Sequence, residues 1–269
     1  VVESYYDGLS ADQHPEEIAD IIDTEADALP VLVYCEDRRA AEHLSGLTGA
    51  EFPELLPVIR LLPPTAAVSA WSDGDQFTAG RFELRPADQA ASAASGRLLI
   101  QILSGTAFGS GNYVTTIAML RALDTLASGR AGGALPKRVL DIGTGNGVLL
   151  IAASLLGATD LTGTDLSADI IAEARRNIVL NNVQARTEVT DRVPENLPPQ
   201  QLVMANIPVA ALRPMLPQML AVAAPDAVFL FAGFTTSEGA AFRNELSAAG
   251  LSLVRQTEER GWSALLLSR

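Results

Sequence analysis

The run Asp141-Ile142-Gly143-Thr144-Gly145-Asn146-Gly147 holds the residues best suited to chemistry. Glycines let the backbone turn sharply and approach a ligand with no side chain in the way. Amides at the start of a following helix can face an anionic group, such as a ligand carboxylate. A Gly-x-Gly-x-Gly turn alone is a weak pointer, and three further residues sharpen it. Asp141 lies two residues before the first glycine. Asp165 closes the next strand-like run, where its two oxygens can accept bonds from both hydroxyls of a ribose. Asn206 ends a later run in Met204-Ala205-Asn206-Ile207-Pro208. Asp141 keeps a competing reading as a carboxylate that stabilises its own turn, and Asp165 one as a helix-capping or surface acid. Together the turn and the acids favour a nucleoside ligand. The spacing is not the G-x-G-x-x-G of dinucleotide sites, and no G-x-x-x-x-G-K-[ST] run is present for nucleoside triphosphates.

The elements that must hold these residues alternate regularly from Lys137 onward. Val139 to Ile142 is a short apolar run of the kind that forms a buried parallel strand. Val148, Ile151, Ala152 and Leu155 follow at helical spacing. Leu161 to Asp165 reads as a strand, Ser167 as an N-cap, and Ile170, Ile171, Ala174 and Ile178 as one face of a helix. Thr187–Thr190, Leu202–Ala205 and Ala227–Phe234 supply more strands, with helices near 209–223 and 237–249. Gly250 occupies a helix-terminating position. Strand-helix alternation predicts a doubly wound, mostly parallel α/β sheet. The ending differs: Leu251–Thr257 and Trp262–Leu267 are joined by Glu258-Glu259-Arg260-Gly261 with no room for a helix, so they pair antiparallel. That terminal hairpin is foreign to the usual dinucleotide fold.

The first third is less regular. His14–Asp23 and Asp37–Leu47 read as helices, and Val31–Tyr34 as a strand. Pro53, Pro57, Pro63 and Pro64 mark a boundary. Segments 66–71 and 76–84 flank Ser72-Asp73-Gly74-Asp75, which reads as a hairpin turn. The chain therefore divides into a small N-terminal α+β accessory or substrate-recognition region over 1–64, a linker with a hairpin over 65–105, and a catalytic domain over 106–269.

Composition narrows the function. Among 269 residues, 48% are hydrophobic and 19% charged, which suits a packed core. No apolar run approaches the roughly 20 residues of a membrane helix, and Val1–Ser10 is too acidic and polar for a signal peptide. Lacking an initial Met, the chain reads as trimmed. One cysteine, Cys35, excludes an internal disulfide and a cysteine-built metal site, and the two histidines, His14 and His43, lie far in sequence from the glycine turn. The expectation is no metal and a cytoplasmic location. A net charge of −13 argues against free nucleic acid as partner and suits a basic protein or a cationic small molecule, or merely solubility.

From about Phe108 to Arg269 the chain resembles class I S-adenosylmethionine-dependent methyltransferases, and more narrowly the PrmA family, which methylates amino groups of a bacterial ribosomal protein. The residues that carry the likeness are Ala107-Phe108-Gly109-Ser110-Gly111-Asn112-Tyr113-Val114-Thr115-Thr116, Val139 to Gly147, Gly163-Thr164-Asp165, Ala205-Asn206-Ile207 and Gly261-Trp262-Ser263-Ala264-Leu265. The resemblance implies a seven-stranded sheet and S-adenosylmethionine as cofactor. It further implies cofactor contacts from Phe108, Gly109, Thr116, Asp141, Gly143, Thr144, Gly145, Asn146, Gly147, Asp165, Leu166 and Asn206. Asp191, with Glu188 as competitor, would meet the adenine amino group. Asn206 would be catalytic, orienting an acceptor nitrogen, with Tyr113, Ile207 and Pro208 towards the substrate. Two departures bear on the acceptor: Tyr113-Val114 stands where the family usually has His-Pro, and Asn-Ile-Pro where it has Asn-Ile-Leu. The implied reaction is methyl transfer to nitrogen of a protein or small molecule. Alternatives are O- or C-methylation of a metabolite, a nicotinamide-dependent oxidoreductase and a non-catalytic cofactor-binding module.

Overall fold

The structure, a computed structural model, describes residues 2–7, 31–34, 46, 58–62, 77–87, 96–103 and 113–269. The chain divides into two compact units, Val1–Ser72 and Asp73–Arg269. In the first, β1 (Val2–Asp7), β2 (Val31–Tyr34) and β3 (Val58–Leu62) form a parallel sheet in the order β2-β1-β3. The strand expected at Val31–Tyr34 is present, whereas the helices expected at 14–23 and 37–47 fall outside the described residues, Gly46 excepted.

The second unit contains a seven-stranded sheet. Its strands are β7 (Arg138–Ile142), β8 (Asp160–Thr164), β9 (Thr187–Thr190), β10 (Gln200–Asn206), β11 (Ala223–Thr235), β12 (Ser252–Glu259) and β13 (Trp262–Ser268). The order is β12-β13-β11-β10-β7-β8-β9, and β13 alone runs against the rest. The terminal hairpin and the mostly parallel sheet match the expectation. Helices α1 (Tyr113–Ser128), α2 (Val148–Leu155), α3 (Ala168–Leu180), α4 (Val209–Val222) and α5 (Thr236–Ala248) accompany it.

Local signals explain the helix ends. The Ser167 hydroxyl accepts the Ile170 amide at 3.4 Å and starts α3. Thr235 and Glu238 form a reciprocal capping box on α5. At the far end of α5, Gly250 adopts φ +87°, while its amide and that of Leu251 bond back to Ser247 and Leu246. Only a residue without Cβ takes that left-handed geometry cheaply. The sheet and α4 and α5 enclose a core of Leu140, Val203, Phe229, Phe231, Phe234 and Phe242, all at most 1% exposed.

A second small sheet has the order β4-β5-β6, from β4 (Phe77–Ala79), β5 (Phe82–Pro86) and β6 (Leu98–Ile102). The structure corrects the single strand expected over 76–84: within its described residues a hairpin folds at Gly80-Arg81, whereas the turn expected at 72–75 lies outside the described residues. Gly80 has φ +59°, as a glycine at the first central position of a two-residue hairpin requires. The Asp124 carboxylate of α1 accepts the Arg81 amide at 2.9 Å and its Nε at 2.5 Å, fixing the turn. β6 pairs parallel with β5 and presents its other edge to α3.

Candidate active site

Strand β7 is followed in sequence by β8 on one side, but β10 lies on its other side. Such a reversal leaves a crevice beyond the carboxyl ends of the strands. A cavity of about 680 Å³ opens there. Its wall includes Gly143, Thr144, Gly145 and Asn146 of the turn, Asp165 and Leu166 after β8, Asp191 after β9, Asn206, Ile207 and Pro208 after β10, and Thr116 from the first turn of α1. Those residues were expected from sequence and are brought together. Glu188, the rival of Asp191, is exposed within β9 and does not line the cavity. Phe108 and Gly109 lie outside the described residues. Tyr113 is the first residue of α1, and its side chain lies outside the description as well.

The turn is shaped by backbone bonds. The amides of Gly143 and Thr144 both donate to the Thr164 carbonyl, at 2.8 and 2.9 Å, tying the end of β7 to β8. The Gly145 amide donates to Asp165 Oδ2 at 3.1 Å, and the Ser167 amide to Asp165 Oδ1 at 3.2 Å. Each carboxylate oxygen keeps a further lone pair, so two more donors can be accepted. Leu166 beside it is 95% exposed, an apolar side chain laid along the rim where a flat apolar ligand would cover it.

Asn206 is the other polar centre. Its Nδ2 donates to Thr116 Oγ1 at 3.3 Å, whereas its buried Oδ1 has no hydrogen-bond partner among the described residues. A buried orphan acceptor on a cavity wall marks where a donor from a ligand belongs. The next residue, Ile207, is held between two glycines. A Cβ on Gly143 (φ +68°) would strike the Ile207 side chain, and one on Gly233 (φ +97°) would come within 2.6 Å of its amide nitrogen. Gly233 sits where the β11–β13 register shifts between Phe231 and Phe234, so a bulge brings β11 onto the 206–208 segment.

Two expected cofactor contacts stand behind the wall. Asp141 is fully buried and does not line the cavity. Its Oδ2 accepts the Thr144 hydroxyl at 2.7 Å and Oδ1 has no partner among the described residues. Burial pushes this carboxyl up to about 7; the Thr144 bond opposes the shift and the nearby Asp165 charge adds to it. The turn-stabilising reading of Asp141 therefore describes its contact. Gly147 is the N-cap of α2 at φ +83°, and a Cβ there would point at Ala174 of α3, 3.5 Å away, rather than into the cavity.

Sequence reasoning missed part of the lining: Arg192 and Val193 after β9, Met215 and Gln218 on α4, Gly233 and Trp262. Met215 and Gln218, at helical spacing from Ala211, were legible as a helix face but not as a cavity wall. Trp262 was legible as the start of the last strand, but not as a cavity wall. Asp191 pairs with Arg192 at 3.1 Å, and that hydrogen bond and charge hold its carboxyl below the usual range.

Residues 76–269 match the family described as Ribosomal protein L11 methyltransferase (PrmA). A ribosomal protein L11 methyltransferase of Geobacter sp. strain M21 is 35% identical over 236 residues, covering 86% of this chain and 76% of that one. The enzyme of the same name from Citrifermentans bemidjiense is 34% identical, with the same two coverages of 86% and 76%. Among solved structures, the ribosomal protein L11 methylase of Lactobacillus delbrueckii subsp. bulgaricus superposes with a TM-score of 0.62 at 24% identity, covering 70% of this chain and 95% of that one, and shares the fold. A glycine turn and a strand-end carboxylate around one cavity fit S-adenosylmethionine, and the chain belongs to the ribosomal protein L11 methyltransferase (PrmA) family of S-adenosylmethionine-dependent methyltransferases.

Proposed function

We propose that the chain transfers methyl groups to an amino nitrogen of a protein, with ribosomal protein L11, the acceptor named for its relatives, as the first candidate. The observation that carries the reading is the buried Oδ1 of Asn206 on the cavity wall, without a hydrogen-bond partner among the described residues. S-adenosylmethionine, when bound, supplies a methyl carbon already activated by a sulfonium charge. The task left to the chain is alignment, which is a proximity effect. Asp165 would hold the ribose through the lone pairs that Gly145 and Ser167 leave free. Leu166, Ile170 and Val193 offer apolar surface for the base, and Asp191 an acceptor for its exocyclic amine. Gly143 to Gly145 and Thr116 would face the amino-acid end.

An amine attacks only with its lone pair free, so it must react neutral. Asn206 Oδ1 would accept one amine hydrogen and so turn the lone pair towards the methyl carbon, while its Nδ2 bond to Thr116 fixes which end of the amide faces the acceptor. Trp262 adds an aromatic wall that attracts a methylated, cationic amine. A ribosomal acceptor would place the reaction in the cytoplasm.

The test is transfer of labelled methyl from S-adenosylmethionine to purified L11 and, in parallel, to a panel of small amines, by wild type and Asn206→Ala. The expected result is label in the protein, a loss of about 100-fold in kcat for the variant, and S-adenosylhomocysteine affinity within threefold of wild type. Label appearing only in small amines would overturn the protein acceptor, and unchanged turnover in the variant would overturn the role of Asn206.

A further inference from the structure

Helix α3 carries two asparagines one turn apart, Asn177 and Asn181, that act on backbone rather than on solvent. Among the described residues β6 is an edge strand of the small sheet, bonded to β5 on one side only. Its other edge is satisfied by side chains. Asn181 Oδ1 accepts the Gln101 amide at 2.9 Å, and Asn181 Nδ2 donates to the Gln101 carbonyl at 2.7 Å. Asn177 Oδ1 accepts the Leu103 amide at 2.9 Å. The pair thus completes two rungs that a neighbouring strand would otherwise supply.

Asn177 does one thing more. It is fully buried, and its Nδ2 donates to the main-chain carbonyl of Asn146 at 3.0 Å. Asn146 belongs to the glycine turn, and the opposite side of that turn forms the cavity wall. The neighbouring Ala174, fully buried one turn earlier on α3, meets the side of Gly147 where a Cβ would stand. Because the peptide unit is planar, holding the Asn146 carbonyl also sets the Gly147 amide, which closes the turn on the Thr144 carbonyl at 3.0 Å. One amide therefore joins three pieces: α3, the turn, and the end of β6. Leu103 leads in sequence towards Phe108 and Gly109, which the family likeness assigns to the cofactor.

We propose that Asn177 is a positioning residue for the methyltransferase: from outside the cavity it holds the glycine turn in its cofactor-binding shape and couples that turn to β6. The proposal rests on the reading of the cavity as the S-adenosylmethionine site. Asn181 is its internal control, since it makes equivalent bonds to the same strand without touching the turn.

The test uses the full chain and S-adenosylhomocysteine as probe, with calorimetric Kd and urea unfolding for wild type, Asn177→Asp and Asn181→Asp. An aspartate at 177 still accepts from Leu103; when ionised it cannot donate to the Asn146 carbonyl, and when protonated it can. The expected result at pH 8 is Kd raised at least tenfold in Asn177→Asp, recovering to within threefold of wild type at pH 5.5. Asn181→Asp loses stability but keeps Kd within twofold of wild type at both pH values. Wild-type Kd in Asn177→Asp at pH 8, or an equal loss in Asn181→Asp, overturns the proposal. Should Asn177→Asp not fold, hydrogen exchange on wild type decides. Bound S-adenosylhomocysteine is expected to slow the Leu103 amide at least fivefold, and an unchanged rate overturns the coupling. Failure of wild type itself to bind the probe would instead sink the reading of the cavity.

Discussion

Replacing Asp141 by asparagine removes a buried carboxyl whose protonation couples to folding. In the unfolded chain this group titrates near its ordinary 3.8, and in the folded chain burial raises it to about 7. Between those values the folded chain holds a proton here that the unfolded chain has lost, so stability falls as pH rises. The contribution is fully present below pH 3.8, declines through the interval, and is gone above 7. The whole gap corresponds to about 4 kcal/mol at 1.36 kcal/mol per pH unit, and the part between pH 5 and pH 8 to about 3 kcal/mol. Asparagine keeps an oxygen for the Thr144 hydroxyl but leaves an amide where Oδ1 has no partner, at a pH-independent cost of about 1–3 kcal/mol. Urea unfolding of both proteins by far-UV circular dichroism at pH 5, 6, 7 and 8 gives the difference in unfolding free energy. Subtraction removes the groups the two chains share. Variant minus wild type is expected to rise by about 3 kcal/mol from pH 5 to pH 8. A difference flat to within about 1 kcal/mol would show that Asp141 does not titrate in this window and would refute the argument.

Asp165→Ala deletes the acceptor of the Gly145 and Ser167 amides and the proposed ribose contact; S-adenosylhomocysteine affinity, measured by calorimetry, is expected to fall about 100-fold, as for two charge-assisted bonds of about 1.5 kcal/mol each. Unchanged affinity would remove Asp165 from the site. Gly233→Ala forces a Cβ into a left-handed φ and against the Ile207 backbone, so a loss of stability of at least about 1–3 kcal/mol and a fall in kcat are expected; neutral behaviour in denaturation and turnover would mean that β11 does not press on the 206–208 segment. Thr235→Ala breaks the capping box of α5 and is expected to cost about 1 kcal/mol at pH 7. Glu238 is held below its usual range by the Thr235 amide and hydroxyl, so its contribution is present at neutral pH and lost as pH falls. Thermal melts at pH 7 and pH 4 should therefore show a smaller penalty at pH 4, and an equal penalty would refute the reciprocal cap.

Short-range chemistry made much of this chain readable. The left-handed bend of the glycine turn, the Ser167 cap, the Gly250 stop and the antiparallel ending each follow from residues within a few positions of one another, where sterics and spacing decide the outcome. Asp165 and Asn206 were readable because strand ends in such sheets face the crevice. The Gly80-Arg81 turn rests on local chemistry too, but a glycine without an Asn, Asp or Gly beside it is a weak turn signal, and 76–84 reads as one strand. What no local pattern holds is which distant surfaces meet. That Asp141 retreats behind the wall, that Gly143 and Gly233 grip Ile207 from two strands, that Gln218 and Trp262 reach one cavity, and that Asn177 ties α3 to the turn and to β6 are consequences of sheet order and close packing. Sequence determined the chemistry offered at each strand end, because that depends on the residue itself and its neighbours. Tertiary structure alone decided which groups are desolvated, which polar atoms are left without partners and which backbones touch, because burial and contact are properties of the assembled layers.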